Sequence, residues 1–344
     1  MKNYVHILYY IKALKKEIMR KNSFFTFCLL ILLLFLNKCT NFFTGLAQGN
    51  TTEIHAQGKF VAVGGSGAAY YSYDGKKWFK SNVPSGNTYR GITYRKQKFV
   101  AVNGSNIFYS FDGISWSTVS GHGGRGICYG QGKFVVVNDG EEAFYSYDGI
   151  NWTQTQVSVS NKLNSVCYGN GKFVAVGRVD VTDRGIYYSS DGITWSGNVA
   201  FSGAGELRSV TYGNGKFIAV GESDTVYCSD DGMNWPSTSG IILGSIYSVT
   251  FAKNKFVAVG VHNTTGIIQY SKDGERWETV LHILDNDIFL SVTYGAGKFV
   301  AVGQNERIHY SYDGITWSDN VGPGGGNNLN GVTYSNYNPE FIEP

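Results

Sequence analysis

The chain of 344 residues is poor in proline (5), methionine (3) and charge (16% Asp, Glu, Lys and Arg). After residue 39 no stretch repeats its apolar residues at helical spacing, which excludes stacked helical repeats. Cysteine is also scarce. Cys28 and Cys39 fall in the first 39 residues, and the odd trio Cys128, Cys167 and Cys228 makes no disulfide framework. With no His or Cys at ligand spacing beside them, the three read as small buried residues, and no metal or cofactor site is expected. Basic charge is lacking where it would matter for nucleic acid. Residues 1–38 hold seven of the 29 Lys and Arg and one of the 26 acids, leaving 22 basic against 25 acidic residues, a net −3, in 39–344. That balance excludes the electrostatic footprint of a nucleic-acid binder.

What the chain has is glycine (45), tyrosine (24), phenylalanine (21) and seven tryptophans. Glycine beside aromatics suits short strands joined by tight turns. The apolar run 24–36, interrupted only by Thr26 and Cys28 and preceded by Arg20 and Lys21, is too short to cross a bilayer comfortably but fits a signal-peptide core. Met19 would give a more ordinary leader than Met1. Residues 1–39 are therefore expected to be an export leader, with Leu36-Asn37-Lys38-Cys39 similar to a lipobox whose Cys39 takes a lipid. Cleavage after Ala47 and an uncleaved anchor are the alternatives, and all three place the rest outside the cytoplasm, periplasmic or at the cell surface. Residues 40–57 then form a tether and 337–344 a tail.

Between these ends one unit recurs seven times. Ser-x-Asp-Gly-x-x-Trp occurs with its Asp at Asp74, Asp112, Asp148, Asp191, Asp231, Asp273 and Asp313, at steps of 38, 36, 43, 40, 42 and 40 residues, and it uses every Trp in the protein. Lys-Phe-(Val/Ile)-(Ala/Val)-Val starts at Lys59, Lys98, Lys133, Lys172, Lys216, Lys255 and Lys298, and a Ser-Val-Thr-Tyr-like segment ends at Tyr94, Tyr129, Tyr168, Tyr212, Phe251, Tyr294 and Tyr334. Each unit reads as four strands. In one, 209–212 precedes the hairpin turn Gly213-Asn214-Gly215, then come 216–220, 225–229, a turn at Asp231-Gly232 and a short outer strand at 233–235. The fold class is therefore all-β, a seven-bladed propeller of four-stranded antiparallel blades over residues 58–336. The last segment, Gly331 to Tyr334, is a first strand without a blade, and Lys59 opens a blade without a first strand. The C-terminal strand is expected to close the ring in preference to the poor copy at 52–56.

Ser-x-Asp-Gly-x-x-Trp resembles the Asp-box, or BNR repeat, of sialidase-like propellers, in a variant one residue shorter between Asp and Gly. The resemblance implies that the seven Asp residues are structural, on the turn between third and fourth strands. Seven equal copies cannot form one asymmetric site. The superfamily includes sialidases, seven-bladed glycanases and the photosystem II assembly factor family. An exported module that binds a glycan, peptide or protein is thus the first expectation, and a glycoside hydrolase or an assembly factor for a membrane complex are the others. A hydrolase needs two converging carboxylates, and Glu206, Asp183, Glu222 and Glu306 are the available acids.

In up-and-down blades the near-uniform turns share one face and the variable loops share the other: 138–143, 177–185, 196–208 and 278–290 are examples. The residues entering the innermost strands should ring the channel mouth on the variable face: Arg90, Arg125, Asn164, Arg208, Tyr247, Leu290 and Asn330. Three arginines there could hold a carboxylate, sulfate or phosphate of an acidic ligand. Pairing with Glu206, Glu222 or Glu141 is the plainer alternative. Asp180-Val-Thr-Asp183 and Asp285-Asn-Asp287 offer weak calcium-like patterns without full loop spacing. N-terminal sequencing of the mature protein should find a blocked, lipid-bearing Cys39. A free Gln48 as first residue would show cleavage after Ala47 instead.

Overall fold

The computed structural model describes residues 58–140, 142–156, 162–178, 183–202, 205–222, 224–236, 240–280 and 287–335. The leader, Cys39, the tether with its 52–56 segment, the tail, Glu141, Asp180 and Asp285 lie outside them. Seven antiparallel sheets form a seven-bladed propeller. Among the described residues the helical content is two single turns, Gly65–Gly67 and Gln304–Glu306, and no helix is long and apolar enough to cross a membrane.

The seven innermost strands are Gly91–Arg95, Gly126–Gly130, Lys162–Gly169, Leu207–Gly213, Ser245–Ala252, Phe289–Gly295 and Leu329–Tyr334. Each packs on the next around the ring. Serine hydroxyls link them: Ser165, Ser209, Ser248 and Ser291 accept from the backbone N–H of Val210, Val249, Val292 and Val332 one blade on, at 3.2–3.3 Å.

Blade one joins the two ends of the domain. Leu329–Tyr334 lies antiparallel to Phe60–Gly64, with Phe60 opposite Tyr334 and Val63 opposite Gly331. Ala69–Ser72 and Phe79–Lys80 complete the sheet. The C-terminal strand therefore closes the ring as its sequence implies, and removes two free edges at once.

There is no single central core. Seven apolar clusters each fill the seam between two neighbouring blades. The period-2 strand Lys-Phe-Val-Ala-Val makes this possible. Phe60 and Ala62 face Val300 and Val302 of blade seven, while Val61 and Val63 face Phe99 and Ala101 of blade two. Each second-strand Phe meets the aromatic that ends the first strand, as at Phe60 and Tyr334 with ring centroids 4.6 Å apart. Such a pair contributes about 0.5–1.5 kcal/mol beyond burial. The tryptophans belong to the same seams; Trp195 and Trp235 are buried in them.

The Ser-x-Asp-Gly turn repeats with near-identical bonds. Ser72 Oγ accepts from Gly75 N at 2.8 Å, and Asp74 Oδ1 accepts from Lys76 N and Lys77 N at 2.8 and 2.9 Å. The glycine is required on two grounds: Gly113 has φ +71°, and a Cβ there would stand 2.7 Å from Val61 of the preceding blade. One expectation needs correcting. The outer strand of blade five is Gly240–Ile241, not 233–235. The Trp is drawn inward to the seam, so the residues before it wrap as part of the turn and pairing resumes only beyond it. For the same reason 196–208 is not all loop: Ser196–Ser202 is a fourth strand paired with Asp183–Ser189. In blade seven the fourth segment reaches the third strand through Ser318 N–Tyr310 O and Val321 N–Ile308 O bonds of 2.9 and 2.8 Å without forming a ladder.

A second repeated contact was invisible in any one repeat. In six of the seven units the lysine opening the second strand reaches the next blade's turn. Lys59, Lys98, Lys133, Lys255 and Lys298 donate to the carbonyls of Asp112, Asp148, Asp191, Asp313 and Asp74 at 2.6–2.9 Å. Lys216 reaches Glu275 Oε1 at 2.7 Å instead.

Burial alone would raise Asp231, but the N–H groups of Asn234 and Met233, with the Asn234 and Ser229 side chains, outweigh it and hold the carboxyl down at about 2. The other six turn carboxyls are lowered too. A depressed folded-state pKa contributes stability that is complete above the unfolded value of about 3.9 and is lost as pH falls through the folded value. Asp231→Asn should therefore cost ~1 kcal/mol at neutral pH, and the gap to the parent should close in chemical denaturation series run stepwise down to about pH 2.

Candidate functional site

The channel mouth is built by backbone irregularity. Register shifts between Leu163 and Ser165, Leu207 and Ser209, Ile246 and Ser248, and Phe289 and Ser291 leave Asn164, Arg208, Tyr247 and Leu290 unpaired in their innermost strands. In the closing strand Asn330 is bypassed likewise, between Leu329 and Gly331. A bulge re-aims the extra side chain out of the sheet's alternation. Arg90 and Arg125 occupy the same station just ahead of Gly91 and Gly126, their N–H groups donating to the Val102 and Val137 carbonyls at 2.8 Å. The seven expected positions are thus equivalent around the ring, five of them as bulges.

Their side chains form linked groups. Arg125 Nε is ion-paired with Asp139 of the second-to-third strand loop in its own blade. Arg208 pairs with Glu222, in the matching loop of its blade, at 2.5 Å, and its guanidinium lies 5.0 Å from the Tyr247 ring centroid. These pairs put ring and variable loops on one face. Asn164 donates to Glu206 Oε2 and to the Leu207 carbonyl at 2.7 and 2.9 Å. Asn330 donates to the Tyr89 carbonyl at 2.8 Å. Leu290 is half-buried and adds only apolar surface.

Arg90 differs. It is exposed, and its guanidinium has no ion pair or hydrogen bond among the described residues. Burial of its stem and then the like charge of Arg125 pull its guanidinium down from the ordinary value, partly offset by Asp139. Arg90 and Arg125 are thus close enough to repel, and the Asp139 carboxylate near them is bound to Arg125 alone. Of the three arginines, Arg125 and Arg208 are already partnered, by Asp139 and Glu222. Of the partners foreseen from sequence, Glu222 takes Arg208, Glu206 takes Lys162 Nζ at 2.9 Å instead, and Glu141 lies outside the described residues. Asp139 and Lys162 gave no signal, since each acts only once the fold brings its partner near.

The acids that a hydrolase would need are occupied. Burial raises Glu206, but Lys162, Asn164 and the Arg208 charge outweigh it and hold the carboxyl below the ordinary range. It is ionised at neutral pH and cannot serve as a general acid. Glu306 is buried and accepts from Tyr70 Oη at 2.7 Å and Asn327 Nδ2 at 3.0 Å. Asp287 of the calcium-like pattern holds His309 Nε2 at 3.1 Å and Arg307 Nε at 3.2 Å instead of standing open. Among the described residues no group of three or more His, Cys, Asp or Glu could hold a metal, and Cys128, Cys167 and Cys228 are free thiols. A cleft of about 610 Å³ lies on the opposite face between blades five and six, lined by turn residues such as Asp231, Met233 and Glu275.

The geometry defines a seven-bladed propeller whose innermost strands carry charged, amide and aromatic side chains at equivalent entry positions. No family model and no curated protein matches the chain. Solved structures do. It is similar to a structure described as YCF48 bound to D1 peptide, at 17% identity and TM-score 0.52 over 69% of this chain and 82% of that one. It is also similar to a nidogen/laminin complex structure, at 10% identity and TM-score 0.51 over 80% of this chain and 98% of that one. At these identities the likeness is one of fold.

Glu206→Ala should leave Lys162 and Asn164 without their shared acceptor and lower stability by about 2–3 kcal/mol, below the range for a fully buried pair because the Lys162 side chain stays 28% exposed. Thermal and urea unfolding would register it.

Proposed function

We propose that the protein is an exported, non-catalytic binding propeller that takes an acidic segment of a peptide or protein partner at the channel mouth. The observation that carries this reading is the exposed, unpaired Arg90 beside Arg125, on a rim where Arg208 and Tyr247 add a stacked cation and ring. A carboxylate entering there relieves the Arg90–Arg125 repulsion and accepts a planar two-pronged bond that lysine could not match. The fold neighbours lend support, since their descriptions name a D1 peptide and laminin as bound partners. A peptide or protein is therefore favoured over a glycan. The related seven turns, with one bonding pattern throughout, support kinship with Asp-box propellers in a shortened form. Lipidation of Cys39 would hold the domain at a membrane outside the cytoplasm.

The test is a peptide array rich in Asp, Glu and free C-termini probed with the full chain, followed by affinity measurement on the strongest binder. Arg90→Ala with Arg125→Ala should weaken binding at least tenfold and flatten its salt dependence. Unchanged affinity in that double variant would remove the mouth as the site.

A further inference from the structure

The face opposite the mouth carries the uniform turns, yet one position in them varies by sector. The residue between Ser and Asp is aromatic in four consecutive blades, seven, one, two and three: Tyr312, Tyr73, Phe111 and Tyr147. In the other three it is Ser190, Asp230 and Lys272. The four aromatics are 43–64% exposed and rank among the most exposed large apolar side chains of the described protein. Each stands edge-on against the aromatic two residues earlier, at 5.8–5.9 Å and 81–86°. Each is also flanked by an ammonium 4.9–5.6 Å from its centroid: Lys59 at Tyr73, Lys98 at Phe111, Lys133 at Tyr147, and Lys76 and Lys298 at Tyr312.

The result is an arc of outward rings interleaved with cations. Further positive charge stands exposed on the same sector at Lys76, Lys77, Arg95 and Lys96. The nearby carboxylates, Asp74, Asp112, Asp148 and Asp313, are those already occupied by turn N–H groups. Seam packing does not explain such exposure, because blades four to six close their seams without these rings.

The chain enters the domain in the middle of this arc. Lys59, the second described residue, has its ammonium over Tyr71 and Tyr73. Ahead of it runs the segment whose apolar stretch 24–36 reads as a membrane-directed leader. We infer that the aromatic–lysine arc is a bilayer-contact surface: it lies against anionic headgroups, with Tyr and Phe at interfacial depth and the exposed Lys76, Lys77, Arg95 and Lys96 at the phosphates, and it points the channel mouth away from the membrane. Aromatic rings with polar or polarised edges favour the interface, and each nearby cation adds attraction to anionic lipid. The inference rests on the anchored reading of the leader, which brings the domain to a membrane.

The full chain is reconstituted with vesicles of phosphatidylcholine with and without phosphatidylglycerol. An environment-sensitive fluorophore is attached at Phe111→Cys in one variant and at Asn263→Cys, on the mouth face, in another. The five native cysteines are common to both variants, so the parent chain carried through the same labelling sets the background. The expected result is a blue shift and a several-fold brightening at position 111 with anionic vesicles, little change at 263, and loss of the response at 111 when Lys76 and Lys77 are changed to Glu. A chain that sediments with vesicles while the 111 probe stays water-like would overturn the arc as a lipid surface and leave the anchor standing. Equal responses at 111 and 263 would also overturn it. A chain that fails to sediment would overturn both readings. A response at 111 to soluble alginate without vesicles would make the arc a site for an anionic polymer and equally overturn the lipid assignment.

Discussion

Everything in this protein depends on the pairing of its last strand with its first. Leu329–Tyr334 fills the inner slot beside Phe60–Gly64, and Asn330 takes its ring position only because that pairing contains a bulge. The same closure brings Lys298 to the Asp74 carbonyl and blade seven's valines to Phe60. Because each blade contacts only its neighbours, the missing pairing would leave two blade faces, not one strand, in water. A quasi-one-dimensional array becomes a ring without ends, and the seven seams then become cooperative.

The division of labour between the two faces follows from strand geometry. An even number of antiparallel strands per blade returns every hairpin of one kind to one side. On that side the Ser-x-Asp-Gly turn satisfies its own backbone through one serine and one carboxylate, so its form is fixed by local chemistry. On the other side no one solution recurs: Asn103 Oδ1 takes the Ser105 and Asn106 N–H groups of its own loop, and among the described residues no other loop repeats that bond. Elsewhere the loops draw on their neighbours: Arg125 with Asp139, Arg208 with Glu222, Asn164 with Glu206. Diversity accumulates where the backbone is not self-sufficient, and a specific surface can only be made there or where a free side-chain position escapes the turn's bonds.

The fold was legible because its signals are periodic and local. Val332-Thr-Tyr334 matches the first-strand pattern, so its role followed from the repeat, and the residues at the mouth could be named from their station ahead of each consensus. Bulging of Asn164 or Tyr247 was not legible, since it arises from curvature imposed on the inner strand by its neighbours. The outer strand was misplaced to 233–235 because the pattern ends at Trp235, and nothing local shows that the indole turns inward. The lysine links escaped notice for a related reason: Lys59 and Asp112 belong to different repeats, and only the angle between blades brings them within 2.6 Å. Partners such as Asp139 and Lys162 carry no motif and are chosen by distance alone.

Where the chain enters blade one also sets how the domain bears load. Gly58 leads directly into Phe60–Gly64, a strand hydrogen-bonded on both flanks, to Leu329–Tyr334 and to Ala69–Ser72. A pull transmitted through the preceding segment runs along that strand and strains its two ladders together, in shear, rather than peeling one bond at a time from a free edge. Loaded in this way, the domain would hold until many bonds yield at once.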